Sequence, residues 1–245
     1  MLPGKQKFAA SAQKPSKPGG SRQPLQPTPQ DLLCELHKTE LACLASDQQR
    51  LESLNLYLST LLEWNRRFNL VGLKDWKGIL HELILDSLYL ARLLPKLELD
   101  ESCLSLDVGA GAGLPGIPLR IYWPQGTYLL LEPRQKRAAF LQHILSRLQL
   151  ERTLVRSCRL QELPPEHCKA NLILSRGLAA WPEFLRLSLS ILQPRGLALV
   201  FSSRPWLSKD NPPSGWKFYT ELEYTQASTG SKRYFWLFSL NRACS

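Results

Sequence analysis

Hydrophobic positions divide the chain into a first part with a helical period and a second part built from short apolar runs. In the first part, leucines from Leu51 onward fall on one face at helical spacing, which is typical of an amphipathic helix that contributes to a core. Thr28 is an N-cap candidate before Pro29, and Ser46 with Gln49 forms a capping-box pattern. Three helices are predicted, with approximate bounds Pro29 to Leu44, Ser46 to Trp64 and Ile79 to Leu94, the last ended by Pro95.

From Cys103 onward, short apolar runs alternate with helical stretches. The runs predict five strands, at Cys103 to Val108, Thr127 to Glu132, Arg152 to Arg156, Asn171 to Ser175 and Leu197 to Ser202. Strand and helix in repetition indicate an α/β fold with a parallel sheet covered by helices on both faces. The last helix should run through Phe184 to Ile191 and end at Pro194 and Gly196. Two final runs with a short polar connection, Lys217 to Tyr224 and Arg233 to Leu240, predict an antiparallel C-terminal hairpin.

Composition changes this picture mainly at the N-terminus. Residues 1–30 hold six of the 18 prolines and five basic residues without an acid, so a disordered, basic, Pro-rich tail is expected there. We expect residues 31–100 to form an N-terminal helical appendage and residues 101–245 to form the α/β domain. No apolar run approaches the roughly 18 residues of a membrane span. No apolar signal region is visible either, which makes a cytoplasmic location the default expectation.

The charge balance and the cysteines narrow the choice of partners. Thirty-one Lys and Arg residues against 21 Asp and Glu residues give a formal net charge of +10, which favours binding to a polyanion such as nucleic acid. The six cysteines contain no Cys-x-x-Cys pair, and the spacing of Cys34 and His37 is not repeated elsewhere. We therefore expect no metal site, and we expect Cys103 to be a buried small hydrophobe in a reducing compartment.

The segment Leu106 to Pro118 is the best candidate for a ligand site. Glycines at alternate positions, Gly109, Gly111 and Gly113, follow a predicted strand and precede a helix start, a pattern in which backbone lies against a ligand without intervening Cβ atoms. Together with Gly116 they also satisfy the dinucleotide pattern G-x-G-x-x-G. The glycine pattern alone leaves a dinucleotide enzyme of the NAD type and a purely structural turn as alternatives.

Two acids favour S-adenosyl-L-methionine as the ligand. Asp107 precedes the glycines, and Glu132 lies at the end of the next predicted strand, where an acid accepts hydrogen bonds from ribose hydroxyls. The chain also lacks a second half-sheet for a dinucleotide crevice. Five parallel strands followed by an antiparallel hairpin resemble the class I S-adenosylmethionine-dependent methyltransferase fold, which is Rossmann-like.

Four segments are more specific than the glycines alone. They are Trp64 to Leu70 (WNRRFNL), Leu85 to Leu88 (LDSL), Asp107 to Pro118 with its GLPGIP ending, and Ser175-Arg176. In order and spacing they resemble the bacterial guanine-N7 methyltransferases of small-subunit (16S) ribosomal RNA, a family also called glucose-inhibited division protein B. The resemblance covers about Leu51 to Phe201 and implies S-adenosyl-L-methionine as cofactor and ribosomal RNA, or the 30S particle, as partner. We expect the enzyme to be a monomer.

The resemblance also implies the residues of the cofactor site. With the acid and the glycines found above, the expected cofactor-binding residues are Asp107, Gly109, Gly111, Gly113, Leu114, Glu132, Leu160, Gln161 and Arg176. Some positions depart from the family pattern: Glu82 and Leu83 replace Arg-His, Gln161 replaces an acid, Asn171 replaces Asp, and Ser202 and Ser203 lie near a Lys-Gly pair. A non-catalytic ribosome-assembly or RNA-binding protein on the same fold is therefore an alternative.

The expected chemistry requires no catalytic base. N7 of guanine carries a free lone pair, so alignment with the methyl sulfonium and suitable electrostatics suffice, and no catalytic residue is predicted. Basic residues near Trp64, Phe68 and Trp76, or at the start of the helix after Glu132, are candidate RNA contacts. They are Arg66, Arg67, Lys74, Lys77, Arg134, Lys136 and Arg137. The alternative interpretation is that the aromatic residues only pack the appendage onto the sheet.

Overall fold

The computed structural model describes residues 26–164 and 169–241, so most of the predicted tail lies outside the described residues. The helices are α1 Pro29–His37, α2 Gln48–Phe68, α3 Trp76–Ile79, α4 Leu85–Leu93, α5 Gly116–Tyr122, α6 Gln135–Leu148 and α7 Trp181–Ser188. The strands are β1 Leu104–Val108, β2 Thr127–Leu131, β3 Thr153–Arg156, β4 Ala170–Ser175, β5 Leu192–Ser202, β6 Trp216–Thr225 and β7 Lys232–Leu240. No helix in this part of the chain combines the length and hydrophobicity needed to cross a membrane.

The first two helices begin at polar caps. The Thr28 hydroxyl accepts a hydrogen bond from the Asp31 amide, and the Asp31 carboxylate accepts one from the Thr28 amide in return, so the predicted N-cap is confirmed. This helix ends at His37 rather than at Leu44, and Ala42–Ser46 form a separate 3-10 turn. The predicted capping box at Ser46 is wrong, because the Asp47 carboxylate accepts the amide hydrogen of the first turn instead.

The third predicted helix is longer than expected and is interrupted by a π-helical turn. It begins at Trp76, where the Asp75 side chain caps the first turn. It then passes through the π-helical turn at Leu80–Ile84 before α4. Such turns are uncommon and frequently occur at functional sites. The α-helix ends at Leu93, close to the predicted end before Pro95. Pro95 itself lies in the first turn of a 3-10 helix, where a missing N–H breaks no hydrogen bond.

The seven strands form one sheet in the order β3-β2-β1-β4-β5-β7-β6. Strand β7 pairs antiparallel with both β5 and β6, so it alone runs against the other strands. The predicted end of α7 at Pro194 and Gly196 is wrong, because α7 ends at Ser188 and both residues lie inside β5. Pairing jumps from Ala170–Leu192 to Leu172–Leu197, and this bulge accommodates the proline within the strand.

The helices before residue 100 share one hydrophobic core with α5, α6 and one face of the sheet. The Tyr57 hydroxyl of α2 donates to the carbonyl of Ala112 at 2.8 Å, and Arg147 of α6 donates to Thr60 at 2.9 Å. The opposite face of the sheet is covered by α7 and a cluster of aromatic side chains. The appendage therefore packs directly against the turn that follows β1, while the domain boundary at residue 100 stays a prediction.

Candidate active site

The glycine turn connects β1 to α5 along the carboxyl edge of the sheet. Gly109, Gly111 and Gly113 have φ values of +74°, +59° and +81°, which strain any other residue type. The amides of Gly109 and Ala110 both donate to the carbonyl of Leu131, at 2.9 and 3.0 Å. The end of β2 therefore fixes the conformation in which the turn presents its backbone.

The three glycines face different surroundings. A Cβ atom on Gly111 would make an ordinary contact of 3.6 Å with Arg137 Nη1, and Gly111 lies in the wall of a cavity. A Cβ atom on Gly113 would lie 2.4 Å from Ile117 Cγ1, so Gly113 packs against α5. A Cβ atom on Gly109 would lie 2.9 Å from the Leu178 side chain. The turn thus offers ligand space at Gly111, whereas Gly113 serves internal packing.

Two adjoining cavities lie beside the turn. The first, which we call the glycine cavity, has a volume of about 480 Å³; its walls include residues 109–112, Leu114, Glu132 and Arg176, with Leu70, Val71 and Leu83 from the helical part. The second, which we call the apolar cavity, has a volume of about 260 Å³ and is lined by side chains that include Leu131, Cys158, Leu160 and Gln161. Gly109, Pro133 and the exposed Leu178 border both cavities. An elongated ligand that reached past Leu178 could therefore occupy both.

Glu132 holds the glycine turn against the end of β2. Its carboxylate is almost completely buried and accepts hydrogen bonds from the amides of Gly111 and Arg134, each at 2.9 Å. An ionised carboxylate offers about four acceptor positions, so it keeps capacity for hydroxyl groups of a ligand in the glycine cavity. Glu132, which the sequence predicts as a site residue, therefore lies in the wall of the glycine cavity, and it also fixes the shape of that wall.

Arg176 joins the end of β4 to the π-helical turn. Its Nη1 donates to the carbonyl of Leu83 at 2.7 Å, and its Nη2 donates to the carbonyl of Glu82 at 2.8 Å. Nη2 also forms an ion pair with Asp86 at 2.8 Å, and the Tyr224 hydroxyl donates to the same carboxylate. Burial raises the pKa of the Asp86 carboxyl, while the charge of Arg176 opposes that rise. Arg176 thus lines the cavity and also fastens its helical wall.

The positions that depart from the family pattern have different surroundings. Leu83 lines the glycine cavity, and the Glu82 carboxylate accepts hydrogen bonds from Gln226 and Ser228 in the β6–β7 turn. The Asn171 side chain accepts a hydrogen bond from the Leu104 amide at the opposite edge of the sheet, so its role there is structural.

The last two departures lie near the cavities. Gln161 lines the apolar cavity. The Ser202 hydroxyl makes hydrogen bonds within the loop that follows β5, where Ser203 also lies. Every departing position except Asn171 is therefore at the carboxyl edge of the sheet or in an element packed against it.

Asp107 lines neither of the two cavities. Side chains alternate along β1, and Asp107 points toward α5, where its Oδ2 would lie 2.6 Å from a Cβ atom on Gly116. The residue is 1% exposed, and neither carboxylate oxygen has a hydrogen bond of good geometry. Burial raises its pKa to about 7, and the nearby Gly116 amide opposes the rise only in part. The expectation that Asp107 contacts the cofactor is therefore corrected.

Five of the candidate RNA contacts lie at the end of α2 or at the start of α6, and two of them line the glycine cavity. Arg134 and Arg137 line the cavity, and Lys136 Nζ lies 5.9 Å from the ring centroid of the exposed Phe68. Arg66 and Arg67 lie in the last turn of α2 and line a separate cavity with Trp64 and Phe68. We call Arg66, Arg67, Arg134, Lys136 and Arg137 the basic rim.

The remaining candidates have partners within the fold. Lys74 donates to Asn69 at 2.6 Å, and Lys77 lies 3.5 Å from Glu35 of α1. Trp76 is buried, which leaves no face for a nucleobase. Trp64 packs against Phe140 and His143 of α6 at centroid distances of 5.5 and 5.4 Å. Trp64 therefore packs α2 against α6, while its role in RNA binding stays a prediction.

The fold and the site together define a class of enzyme. A sheet of this order, with a glycine turn after β1 and a buried acid after β2, is that of a class I S-adenosylmethionine-dependent methyltransferase. A solved structure from Klebsiella pneumoniae, assigned as an O-methyltransferase, is similar with a TM-score of 0.50 and 18% identity, over 76% of this chain and 90% of that one. At that identity the similarity shows the fold alone.

Sequence comparison identifies the family. The family model described as rRNA small subunit methyltransferase G matches residues 50–205. Proteins named Ribosomal RNA small subunit methyltransferase G are similar in Nitratidesulfovibrio vulgaris (41% identity, 76% of this chain and 84% of the relative) and Lawsonia intracellularis (39%, 80% and 89%). The chain belongs to the rRNA small subunit methyltransferase G family. The predictions of fold class, family and S-adenosylmethionine as cofactor are confirmed, and the NAD alternative is wrong.

Proposed function

We propose that the protein transfers the methyl group of S-adenosylmethionine to N7 of a guanine in small-subunit ribosomal RNA. The observation that carries this proposal is the position of the basic rim. Arg134 and Arg137 line the glycine cavity itself, and Arg66 and Arg67 end the helix that leads to its wall residues Leu70 and Val71. A cationic surface at the mouth of a cofactor cavity is what an RNA substrate requires, because phosphate contacts supply much of the affinity and position the nucleic acid.

The two adjoining cavities suit the two ends of the cofactor. The glycine cavity would hold the methionine and ribose portions, with Gly111 and Leu114 beside them and Glu132 accepting from the ribose hydroxyls. The apolar cavity would hold the adenine between Leu131 and Leu160, with Gln161 at its edge. Arg176 is a positioning residue in this arrangement, since its guanidinium already fastens the helical wall.

The reaction needs alignment more than proton transfer. The lone pair of N7 forms the new bond to the methyl carbon as the bond from carbon to sulfur breaks, and the positive charge of the sulfonium passes to the purine. The products are S-adenosylhomocysteine and a 7-methylguanine cation, and no proton moves. A rigid turn that holds the methyl group in line with N7 therefore supplies the main catalytic effect.

The proposal extends to the partner and its location. The protein acts as a monomer in the cytoplasm, on ribosomal RNA or on the assembled 30S particle. Arg66, Arg67 and Lys136 would contact phosphates, while the partly exposed Phe68 offers a ring face for a base. Methyl transfer to purified 16S RNA and to 30S particles, measured side by side, identifies which of the two is the substrate.

Nucleoside mass spectrometry tests the activity. Small-subunit RNA from cells without the gene should lack one 7-methylguanosine that returns when the intact gene is restored. A gene carrying Gly111→Val is the matched negative control, because this change places a branched side chain in the wall of the glycine cavity. The 7-methylguanosine level could instead be the same with and without the gene, while the protein still binds 30S particles. That result would support the non-catalytic ribosome-assembly alternative. Calorimetry with S-adenosylmethionine measures cofactor binding separately.

A further inference from the structure

A third cavity opens at the carboxyl ends of β4 and β5. Its volume is about 320 Å³, and Trp181, Phe184 and Trp236 form its walls, while Ser203 and Arg204 lie at its edge. We call it the aromatic cavity. Its size falls at the low end of the range for small-molecule sites, roughly 300–1,000 Å³, and the placement of the cofactor proposed above leaves it free.

The aromatic cavity adjoins the glycine cavity at a single residue. Gly177 lines both cavities, its φ is +74°, and a Cβ atom placed on it would meet nothing within 4 Å. Ala179 similarly borders both the aromatic and the apolar cavities. The segment 177–179 thus separates three cavities, and the absence of a side chain at Gly177 leaves space between the first two.

The walls of the aromatic cavity are held in place by ring packing. Trp181 meets Trp236 edge-on at a centroid distance of 6.0 Å and stacks on Phe238 at 5.7 Å. The Arg204 guanidinium lies 4.8 Å from the centroid of Trp236, and the Asp210 carboxylate fixes it with two hydrogen bonds of 2.6 and 2.9 Å. Phe184 and Trp236 are each only 2% exposed, so the partly exposed Trp181 is the wall residue whose ring could stack on a planar heterocycle.

The chemistry of the substrate requires such a cavity. N7 of a guanine within an RNA helix faces the deep, narrow major groove, which side chains cannot enter. Enzymes that modify a base therefore act on an unpaired or extruded base held between aromatic and apolar side chains. Arg204 Nη1 and Nη2 each donate a hydrogen bond to Asp210, and the N–H groups used in this way are not available to N7. Strong donors directed at N7 would compete with the methyl group for its lone pair.

We propose that the aromatic cavity receives the extruded purine base of the RNA and presents N7 past Gly177 to the methyl sulfonium. This inference rests on the proposed function, because it assigns the acceptor site of that reaction. Trp181 supplies the stacking surface, and the loop that carries Ser203 and Arg204 borders the entrance.

A filling variant tests the site. Ser203→Trp places an indole at the edge of the aromatic cavity without touching the glycine cavity. Methyl transfer in a single turnover is expected to fall by about 100-fold or more, because the base can no longer align, while the affinity for S-adenosylmethionine stays within about twofold of wild type. Ser208→Trp, in the same loop but outside the cavity, is the matched control and should transfer methyl groups at the wild-type rate.

A second pair of variants tests the stacking surface. Trp181→Leu is expected to lose about 10-fold or more in methyl transfer, because the ring on which the base stacks is removed. Trp181→Phe keeps a ring face and should lose much less. Circular dichroism and thermal unfolding verify that each variant is folded before its rate is interpreted.

The outcomes separate this inference from the proposed function. A wild-type protein that transfers no methyl group to RNA would overturn the proposed function. An active wild type together with a fully active Ser203→Trp would overturn only the assignment of the aromatic cavity. Equal losses of methyl transfer in folded Trp181→Leu and Trp181→Phe would also contradict this assignment, because they would show that the ring face of residue 181 makes no difference.

Discussion

The Arg176 guanidinium lies 2.8 Å from the Asp86 carboxylate, and this ion pair connects the end of β4 with α4. The Tyr224 hydroxyl of β6 completes the arrangement by donating to the other oxygen of Asp86 at 2.8 Å. Three parts of the chain that are distant in sequence therefore meet at one largely buried carboxylate. The helical wall of the glycine cavity depends on it.

Removal of this carboxylate should destabilise the fold and weaken cofactor binding together. Asp86→Ala leaves Arg176 and the Tyr224 hydroxyl without their partner, so we expect a loss of about 3 kcal/mol in the free energy of unfolding. Urea unfolding measures this loss, and calorimetry measures the affinity for S-adenosylmethionine. Glu40→Ala is the control, because Glu40 pairs with Arg92 at 4.0 Å on the surface, and its loss should stay below about 1 kcal/mol.

The glycines of the turn should separate into ligand-facing and packing positions. Gly113→Ala drives a Cβ atom into Ile117 at 2.4 Å, so we expect a loss of about 1–3 kcal/mol in stability. Gly111 lines the glycine cavity without a close packing contact, so Gly111→Val should abolish detectable cofactor binding while the protein still unfolds cooperatively. Gly230→Val controls for backbone strain alone, since its φ is +66° and it has open space in the β6–β7 turn. Retained affinity in Gly111→Val would contradict the placement of the site.

Asp107 should impose a pH dependence on stability. Its pKa is about 7 in the folded protein, above the ordinary value of 3.8, so the folded state binds the proton more tightly than the unfolded state. Stability should therefore fall as the pH rises from about 4 to about 7, by up to about 4 kcal/mol. Below this pH window the Asp107 carboxyl is protonated in both the folded and the unfolded state. Above it, the full loss of stability has occurred.

The variant Asp107→Asn tests that dependence, because it cannot ionise. Urea unfolding across the pH window should give a flatter curve for this variant than for the wild type. Asp100→Asn should leave the slope in the window unchanged, since hydrogen bonds from Ser102 lower the pKa of Asp100 and move its effect to lower pH. Asp107→Asn should keep the cofactor affinity of the wild type. A loss of affinity would indicate that Asp107 contacts the cofactor after all.

Charge reversal in the basic rim should weaken RNA binding without affecting the cofactor. For Arg67→Glu we expect a lower affinity for 16S RNA, and a slope of log affinity against log salt that is smaller by about 1. The affinity for S-adenosylmethionine should be that of wild type. Lys96→Glu is the control, because Lys96 is exposed in the 3-10 helix that follows α4. Equal effects of the two changes would indicate a general charge effect rather than a binding surface.

Local patterns predicted the elements of the fold better than their ends. Continuous apolar runs identified the strands around Leu106, Leu129 and Ile173 because each strand is buried on both faces. Pro194 and Gly196 are ordinary stop signals for a helix, but here they lie in a bulge of β5 that only pairing with β4 stabilises. Such boundaries depend on a neighbouring strand, and the sequence next to them carries no signal of it.

The candidate site was predictable where its residues are close in sequence. The glycine turn and Glu132 follow consecutive strands, so parallel pairing alone brings them together. The alternation along β1 already contained the information that Asp107 faces away from its neighbours Leu106 and Val108. The ion pair of Arg176 with Asp86 joins residues 90 positions apart, and a lone acid in an apolar helix was its only local signal.

The hydrogen bond from Tyr57 to the carbonyl of Ala112 has a thermodynamic consequence. The same turn is held from one side by α2 and would be held from the other by the cofactor, so ligand binding and the opening of α2 are linked equilibria. Cofactor loading should therefore slow amide hydrogen exchange along α2 as well as in the turn. Because α2 ends with Arg66 and Arg67, we expect occupancy of the cofactor site to alter the dynamics of the surface proposed to bind RNA.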